Sequence, residues 1–237
     1  MKKFLSFALA AVMLLSINTA DALFADAATD IPVEYGETIT NNIAYMEKHL
    51  YSFYVPVKGS VTFKISNWHH LNWDPHVSIY NSSDNLLYSI PSSAYKENRI
   101  KGCFTCNIVY TFTKGKYYML FESSADIVQY QFALKYSPAF SNTSIKKLSS
   151  GKRAFKASWK KAGNANGYQI QYSLKKNMGS SKTIKISKNS STVRTVKKLK
   201  SKRRYYVRVR TYKVVNVNGR NKTYYGKWSA KKSVKTK

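Results

Sequence analysis

The chain is 237 residues long and carries 40 Lys and Arg against 11 Asp and Glu, a formal net charge of +29. Residues 1–138 contain 11 basic and 11 acidic residues, whereas residues 139–237 contain the other 29 basic residues and no acidic residue. Such a break excludes one uniform domain and predicts a domain boundary beside Pro138.

The first 27 residues are typical of a signal peptide. Two lysines precede Phe4–Leu15, a run of apolar and small residues that is too short to span a bilayer. Small residues flank two possible cleavage positions, so we expect cleavage after Ala22 or Ala27, and the sequence does not choose between them. Export excludes a nuclear role and most intracellular nucleic-acid functions. No second apolar run follows, so we expect no transmembrane segment after signal removal.

Residues 30–137 show the alternation of apolar and polar residues that is typical of β-strands. Turn signals rich in Gly, Asn, Ser and Lys separate the runs, and this spacing predicts an antiparallel β-sandwich. The predicted strands are 50–55, 60–65, 76–80, 107–112 and 128–134.

The pattern Tyr-x-Phe-x-Val-Pro-x-x-Gly-x-Val-Thr-Phe over 51–63 is followed by Val-x-Ile-Tyr-Asn at 77–81, Lys-Gly-x-Tyr-Tyr-x-x-Phe at 114–121 and Tyr-x-Phe-x-Leu-x-Tyr at 130–136. This order resembles the bacterial pre-peptidase C-terminal domain. The resemblance implies a small, jelly-roll-like sandwich of the kind attached to secreted enzymes and surface proteins.

Two tryptophans and three histidines fall between Asn67 and His76. Trp68 and Trp73 are candidate glycan-binding residues, because aromatic rings stack on the flat faces of sugars.

Histidine and cysteine side chains of the same half are possible zinc ligands. The residues are His69, His70, His76, Cys103 and Cys106. The Cys-x-x-Cys pattern occurs once, and no predicted helix places the histidines on one face. We therefore favour packing of these side chains and predict no metal and no cofactor.

Cys103 and Cys106 also raise the possibility of redox chemistry, but no helix is predicted after them, as a thioredoxin-like site would require. Residues three apart on a strand face opposite sides, so a disulfide between them requires a turn. Because the protein is expected to be exported, we predict a tight-turn disulfide first and two free thiols second.

Residues 139–237 contain Lys-Ala-Ser-Trp ending at Trp159, Gly-Tyr-Gln-Ile-Gln-Tyr from residue 167, a leucine at 199 six residues before Tyr205, and Tyr-Gly-Lys-Trp-Ser from residue 225. This pattern resembles the fibronectin type III domain of Gram-positive surface proteins. The resemblance implies a second β-sandwich in which Trp159 anchors the core. It also implies that the hydroxyl of Tyr205 bonds back to nearby backbone as a tyrosine corner. The predicted fold class is thus all-β, with two antiparallel sandwiches in tandem.

The run Lys202–Lys213, KRRYYVRVRTYK, reads as one strand of this second sandwich. Alternation places one set of side chains in the core and the other toward solvent. The inward set is Tyr205, Val207, Val209 and Thr211, and the outward set, which we take as polyanion-binding candidates, is Tyr206, Arg208, Arg210 and Tyr212.

The combined features predict a secreted, non-catalytic binding or adhesion protein, extracellular or held non-covalently at the cell wall. Its expected partners are wall polyanions such as teichoic acid, a polysaccharide, or a host or surface protein. One alternative is a spacer whose lysines only keep it soluble. Another is a secreted enzyme or a metal or redox protein that uses the histidine and cysteine cluster, although the sequence contains neither a nucleophile elbow nor a His-Glu-x-x-His motif.

Overall fold

The computed structural model describes residues 30–68, 75–124 and 127–237. Within these ranges the protein is all-β, with two β-sandwiches in tandem and one 3-10 turn at Ser92–Ala94, so the predicted fold class is confirmed. No helix of the described part is long and apolar enough to cross a membrane. The predicted signal peptide lies outside the described residues.

The first sandwich consists of two five-stranded sheets, ordered β1-β3-β9-β5-β6 and β2-β10-β4-β8-β7. Its strand pairs are antiparallel except for β1 with β3. Its strands are β1 (Ile31–Pro32), β2 (Thr38–Ile43), β3 (Lys48–Val55), β4 (Gly59–Asn67), β5 (His76–Asn81), β6 (Leu86–Ser89), β7 (Tyr95–Asn98), β8 (Cys103–Phe112), β9 (Gly115–Glu122) and β10 (Val128–Pro138).

An aromatic core holds the two sheets of the first sandwich together. Along β10 buried and more exposed residues alternate over eleven residues, which is the pattern that a half-buried strand requires. Phe121 from one sheet stacks on Tyr130 from the other, with ring centroids 4.5 Å apart, and Phe53 meets Phe63 edge-on at 5.7 Å. Each buried aromatic side chain contributes about 1.5–3 kcal/mol, so these contacts supply much of the stability of the sandwich.

The second sandwich consists of a three-stranded sheet, β11-β12-β15, and a sheet ordered β14-β13-β16-β17 in which β18 also pairs with β16. Every pair in it is antiparallel. Its strands are β11 (Ile145–Gly151), β12 (Ala154–Trp159), β13 (Gly167–Ser173), β14 (Lys182–Ile186), β15 (Val193–Val196), β16 (Arg204–Val217), β17 (Arg220–Tyr225) and β18 (Lys232–Lys235).

The hairpin of β16 and β17 extends beyond the second sandwich and packs on the first. Val215 and Val217 are buried in the core cluster of the first sandwich, and the ring of Tyr224 meets that of Tyr136 edge-on at 5.9 Å. The connecting segment is bonded on both sides, because the amide of Ala139 donates to the carbonyl of Lys58 at 2.9 Å and that of Ser141 donates to the carbonyl of Gly163 at 3.0 Å. The two sandwiches are therefore joined by packing as well as by the chain.

Candidate polyanion-binding surface

Strand β16 alternates as its sequence predicts. Val207 and Val209 are fully buried between the sheets of the second sandwich, whereas Arg208 and Arg210 are half-buried on the outer face of the sheet. Tyr206, on the same outer face, is half-buried as well. The two arginines and Tyr206 therefore lie where a polymer outside the sandwich can reach them.

The two arginines form a stack with the aromatic rings of Tyr225, at the end of β17, and Trp228, in the segment after it. We call this stack the arginine ladder (Arg208, Trp228, Arg210 and Tyr225). The guanidinium carbon of Arg208 lies 4.6 Å from the ring centre of Trp228, and that of Arg210 lies 4.3 Å from the same ring and 3.9 Å from the ring of Tyr225. Each contact is within the range of a cation–π interaction. The stack orders both guanidinium groups before any ligand arrives.

Two glutamines of the neighbouring strand β13 fix the arginines from the other side. Nε of Arg208 donates to Oε1 of Gln171 at 2.7 Å, and Nε of Arg210 donates to Oε1 of Gln169 at 2.9 Å. Partial burial and the nearby Arg208 charge lower the pKa of Arg210 from its ordinary value, and a guanidinium stays charged at physiological pH. Both groups are thus held as oriented cations.

The prediction for Tyr212 as a solvent-facing binding residue is corrected by the structure. The side chain is on the outer face but only 3% exposed. Its ring packs closely on Gly167 of β13, where a Cβ atom would lie 3.0 Å from it, and the ammonium of Lys185 covers it at 4.8 Å. Alternation along a strand predicts the face of a side chain, whereas its exposure depends on the side chains of the neighbouring strands.

The segment between β17 and β18 positions Trp228 in the ladder. The amide of Gly226 donates to the carbonyl of Thr211 at 3.0 Å and that of Ser229 donates to the carbonyl of Val209 at 2.8 Å, so the segment runs beside β16. A side chain at Gly226 would collide with Thr211 and Asn142, so this close approach requires a glycine. In the sequence, Tyr-Gly-Lys-Trp-Ser served only as part of the fibronectin type III pattern. That pattern did not predict that Trp228 of this segment contacts Arg208 and Arg210.

The hydroxyl of Tyr205 and the ring of Trp159 occupy the two positions that the family resemblance implies. The amide of Lys200, five residues upstream, donates to the Tyr205 hydroxyl at 3.0 Å, which is the tyrosine-corner bond. Trp159 is 1% exposed and meets the ring of Tyr168 edge-on at 5.4 Å. Residues 137–233 match the family model of the fibronectin type III domain. The predicted resemblance of the second half to this family is confirmed.

Several solved structures are similar to this chain. The pre-peptidase C-terminal domain of a collagenase from Bacillus anthracis matches with 16% identity and a TM-score of 0.35, over 45% of this chain and 95% of that chain. An Fn3-like protein from Clostridium thermocellum matches with 22% identity and a TM-score of 0.29, over 40% of this chain and 92% of that chain. The chicken CNTN1 FN1-FN3 domains match with 14% identity and a TM-score of 0.35, over 87% of this chain and 62% of that chain. No curated protein matches the sequence.

The fibronectin type III domain contains no acidic side chain to pair with its cations. All ion pairs found among the described residues are in the first half, for example Lys116 with Asp30. In the second half ammonium groups donate to backbone carbonyls instead, as Lys213 does to Asn164 at 2.7 Å and Lys231 to Lys176 at 3.0 Å. Carbonyl bonds leave the positive charge uncompensated, so this half has a positive field that attracts anions.

The first-half candidates fall partly outside the described residues. Trp68 directly follows β4, and its side chain is 36% exposed. Its role in glycan binding stays a prediction. Trp73, His69 and His70 lie outside the described residues. His76 is in β5, in the opposite sheet from the cysteines of β8. The described part of the chain contains no group of three or more side chains suited to a metal ion.

Another histidine of the first half, His49, belongs to a polar network between the sheets. Its Nδ1 lies 2.6 Å from the hydroxyl of Tyr130, which lies 2.7 Å from the hydroxyl of Tyr51. Nε2 of His49 lies 3.0 Å from the carboxylate of Glu47. Burial raises the pKa of Tyr130, so this hydroxyl stays protonated and the network joins β3 to β10 across the core.

The predicted disulfide is wrong, because Cys103 and Cys106 are both free. They lie in one continuous strand, β8, in which Cys103 pairs with Asn98 and Cys106 with Tyr95, with no turn between them. Side chains three apart on a regular strand point to opposite faces, so their sulfur atoms cannot meet. The second alternative from the sequence, two free thiols, describes the structure.

We expect Cys106 to react slowly with iodoacetamide in the folded protein, because burial raises the pKa of its thiol to about 11 and the thiolate is the reactive form. A Cys103→Ala variant isolates this thiol for mass spectrometry at pH 8. Unfolding in guanidinium without a reductant should add two labels to the wild-type chain. Failure to label unfolded wild type until it is reduced would instead indicate a disulfide.

Proposed function

We propose that this is a secreted, non-catalytic binding protein whose fibronectin type III domain attaches to anionic cell-wall polymers, above all teichoic acid. The observation that carries the proposal is the arginine ladder, in which Arg208 and Arg210 are pre-oriented on the outer face of a domain that contains no acidic residue.

The chemistry of the ladder suits a polymer of phosphates and polyols or sugars. A guanidinium group pairs with phosphate through two parallel hydrogen bonds, and these bonds are stronger than those between neutral groups. Arg208 and Arg210 are two residues apart on a strand, a rise of about 6.6 Å, so one polymer segment can contact both. The half-buried ring of Tyr206 continues the row and offers a stacking surface for a sugar.

Ordering of the arginines before binding increases the affinity that such contacts provide. A free arginine side chain loses rotamer entropy when it binds, at a cost of about 0.5–1.5 kcal/mol. The contacts with Trp228 and the bonds to Gln169 and Gln171 have already restricted these side chains. A scattered surface lysine has no such support, so the ladder is a stronger candidate than the net charge alone.

Sedimentation with purified Gram-positive cell walls tests the attachment. We expect the protein to sediment with walls that retain teichoic acid, to stay in solution with walls stripped of it, and to be released as salt rises, because each neutralised phosphate releases counterions. Equal binding to stripped walls, or binding that salt does not weaken, would contradict the proposal. Release of the protein by soluble teichoic acid gives an independent measure of the same interaction.

A further inference from the structure

A second site lies at one end of the fibronectin type III domain, away from the arginine ladder. It is a cavity of about 430 Å³, where the connection from β13 to β14 meets the connection from β15 to β16. This volume is within the range of small-molecule sites, about 300–1,000 Å³. No residue of the ladder lines the cavity, so the two surfaces are separate.

Five lysines surround this cavity, and all five are exposed. They come from both connections and from the start of β14: Lys175, Lys182, Lys197, Lys198 and Lys200. No Asp or Glu side chain is present in this half of the chain to neutralise them. Like charges gathered in one concave site repel one another, and a ligand with two or more negative charges relieves this repulsion more than a neutral or singly charged one.

The wall of the cavity is apolar beneath the lysines. The exposed side chain of Leu174 and the half-buried ring of Tyr172 supply most of this surface. Tyr205, whose ring centroid lies 6.2 Å from that of Tyr172, and Leu199 are each 6% exposed and add little to it. Aromatic and aliphatic groups of this kind bind the carbon-bound face of a sugar or polyol, whereas inorganic phosphate would leave them uncovered. The arrangement suits a ligand that has both an anionic group and a carbon skeleton.

The backbone that carries the lysines is held in place without a ligand. Oγ of Ser173 accepts from the amide of Lys175 at 3.0 Å and donates to the carbonyl of Gly179 at 2.6 Å, which closes the first connection. The bond from the amide of Lys200 to the hydroxyl of Tyr205 closes the second connection. Ser180 and Lys198 have φ angles of 50° and 59°, a region that such residues rarely adopt and that tends to occur at functional sites.

We propose that this cavity binds a phosphomonoester of a sugar or polyol, with the lysines around the phosphate and with Tyr172 and Leu174 against the carbon skeleton. A free sugar phosphate presents this group, whereas the phosphates that link teichoic acid are diesters with one negative charge each. The proposal does not rest on the attachment of the ladder to teichoic acid, because the two sites share no residue.

Calorimetric titration of the full chain with glucose 6-phosphate tests the proposal, with glucose and inorganic phosphate as comparison ligands. We expect saturable binding of one glucose 6-phosphate, at least tenfold tighter than glucose and severalfold tighter than phosphate. Purified teichoic acid at the same phosphate concentration should compete at least tenfold more weakly, because its phosphates are diesters with a single charge, and equal competition would overturn the assignment of a phosphomonoester. Absence of saturable binding of glucose 6-phosphate would overturn the proposal.

A pair of matched triple variants distinguishes binding in the cavity from an effect of the net charge of the protein. Lys182→Gln, Lys197→Gln and Lys200→Gln together should weaken binding of glucose 6-phosphate at least tenfold. The control changes three exposed lysines outside the cavity, Lys147, Lys156 and Lys161, to glutamine. It removes the same charge and should change the affinity less than twofold. An equal loss in both variants would show that only net charge matters and would overturn the proposal.

Amide shifts in the wild-type chain locate the ligand even if a variant fails to fold. Glucose 6-phosphate should shift the amides of residues 174–182 and 197–200 and leave those of β16 near Arg208 and Arg210 unchanged. Shifts concentrated on the ladder would overturn the cavity assignment. Because the Arg208→Gln, Arg210→Gln chain should bind glucose 6-phosphate normally, a failure of wall attachment and a failure of this site are distinguishable.

Discussion

Replacing Trp159 with alanine should lower the free energy of unfolding of the fibronectin type III domain by about 3–5 kcal/mol. The side chain is the largest of those fully buried among the described residues, and it packs with Phe155, Ile170 and Val207 in the core of the second sandwich. Alanine leaves a cavity that rigid strands on both sides cannot close. Urea unfolding followed by circular dichroism measures the change.

Two control variants test the reason for this loss. Trp159→Phe should cost much less than Trp159→Ala, because it keeps a ring and removes an indole N–H that has no acceptor among the described residues. Trp68→Ala removes the same side chain from a 36% exposed position in the first sandwich and should cost about 1 kcal/mol or less. A loss for Trp68→Ala as large as that for Trp159→Ala would contradict the assignment of Trp159 as the core anchor.

Replacing Arg208 and Arg210 together with glutamine should weaken binding to teichoic acid at least tenfold at low salt. The plot of log affinity against log salt should become flatter by about 1.5, because two phosphates are no longer neutralised and each contributes about 0.7–0.9. The fold should persist, since both side chains lie on the outer face and Val207 and Val209 continue to fill the core. Binding isotherms across a salt series measure both quantities.

Two control variants distinguish binding by the arginine ladder from an effect of total positive charge. Arg208→Lys with Arg210→Lys keeps the charge and should keep most of the salt slope, but it should lose affinity because an ammonium cannot form the paired bonds of a guanidinium. Lys147→Gln with Lys156→Gln removes the same charge from the exposed face of the other sheet and should have a small effect. If this lysine pair flattens the slope as much as the arginine pair does, binding depends on total charge and the ladder is not the site.

Much of the fold was predictable because buried and exposed side chains alternate along each strand, which is a pattern between neighbouring residues. All five runs predicted as strands in the first half lie within observed strands, and the inward residues of β16 are buried as alternation requires. Trp159 and Tyr205 were predictable from the spacing of the fibronectin type III pattern. Such signals depend on residues a few positions apart, which a single sequence displays.

The candidate site was only partly predictable. Arg208 and Arg210 were found because they alternate with valines, but the partners that orient them come from other elements. Trp228 is eighteen residues beyond Arg210, and Gln169 reaches the same arginine from β13. The prediction that Tyr212 faces solvent was wrong for the same reason, because Lys185 of strand β14 covers its ring. No local pattern contains these cross-strand contacts.

The sequence by itself determined the all-β class, the division into a neutral half and a strongly basic half, and the face of each side chain on its strand, because all three follow from composition and period-two alternation. Tertiary structure decided which outward residues stay exposed and which rings stack on the arginines. It also brought two distant connections together as a lysine-lined cavity, kept Cys103 and Cys106 apart on one strand, and packed the hairpin of β16 and β17 on the first sandwich. These outcomes depend on the register of paired strands, which joins residues far apart in the chain and is set by the packing of the whole fold.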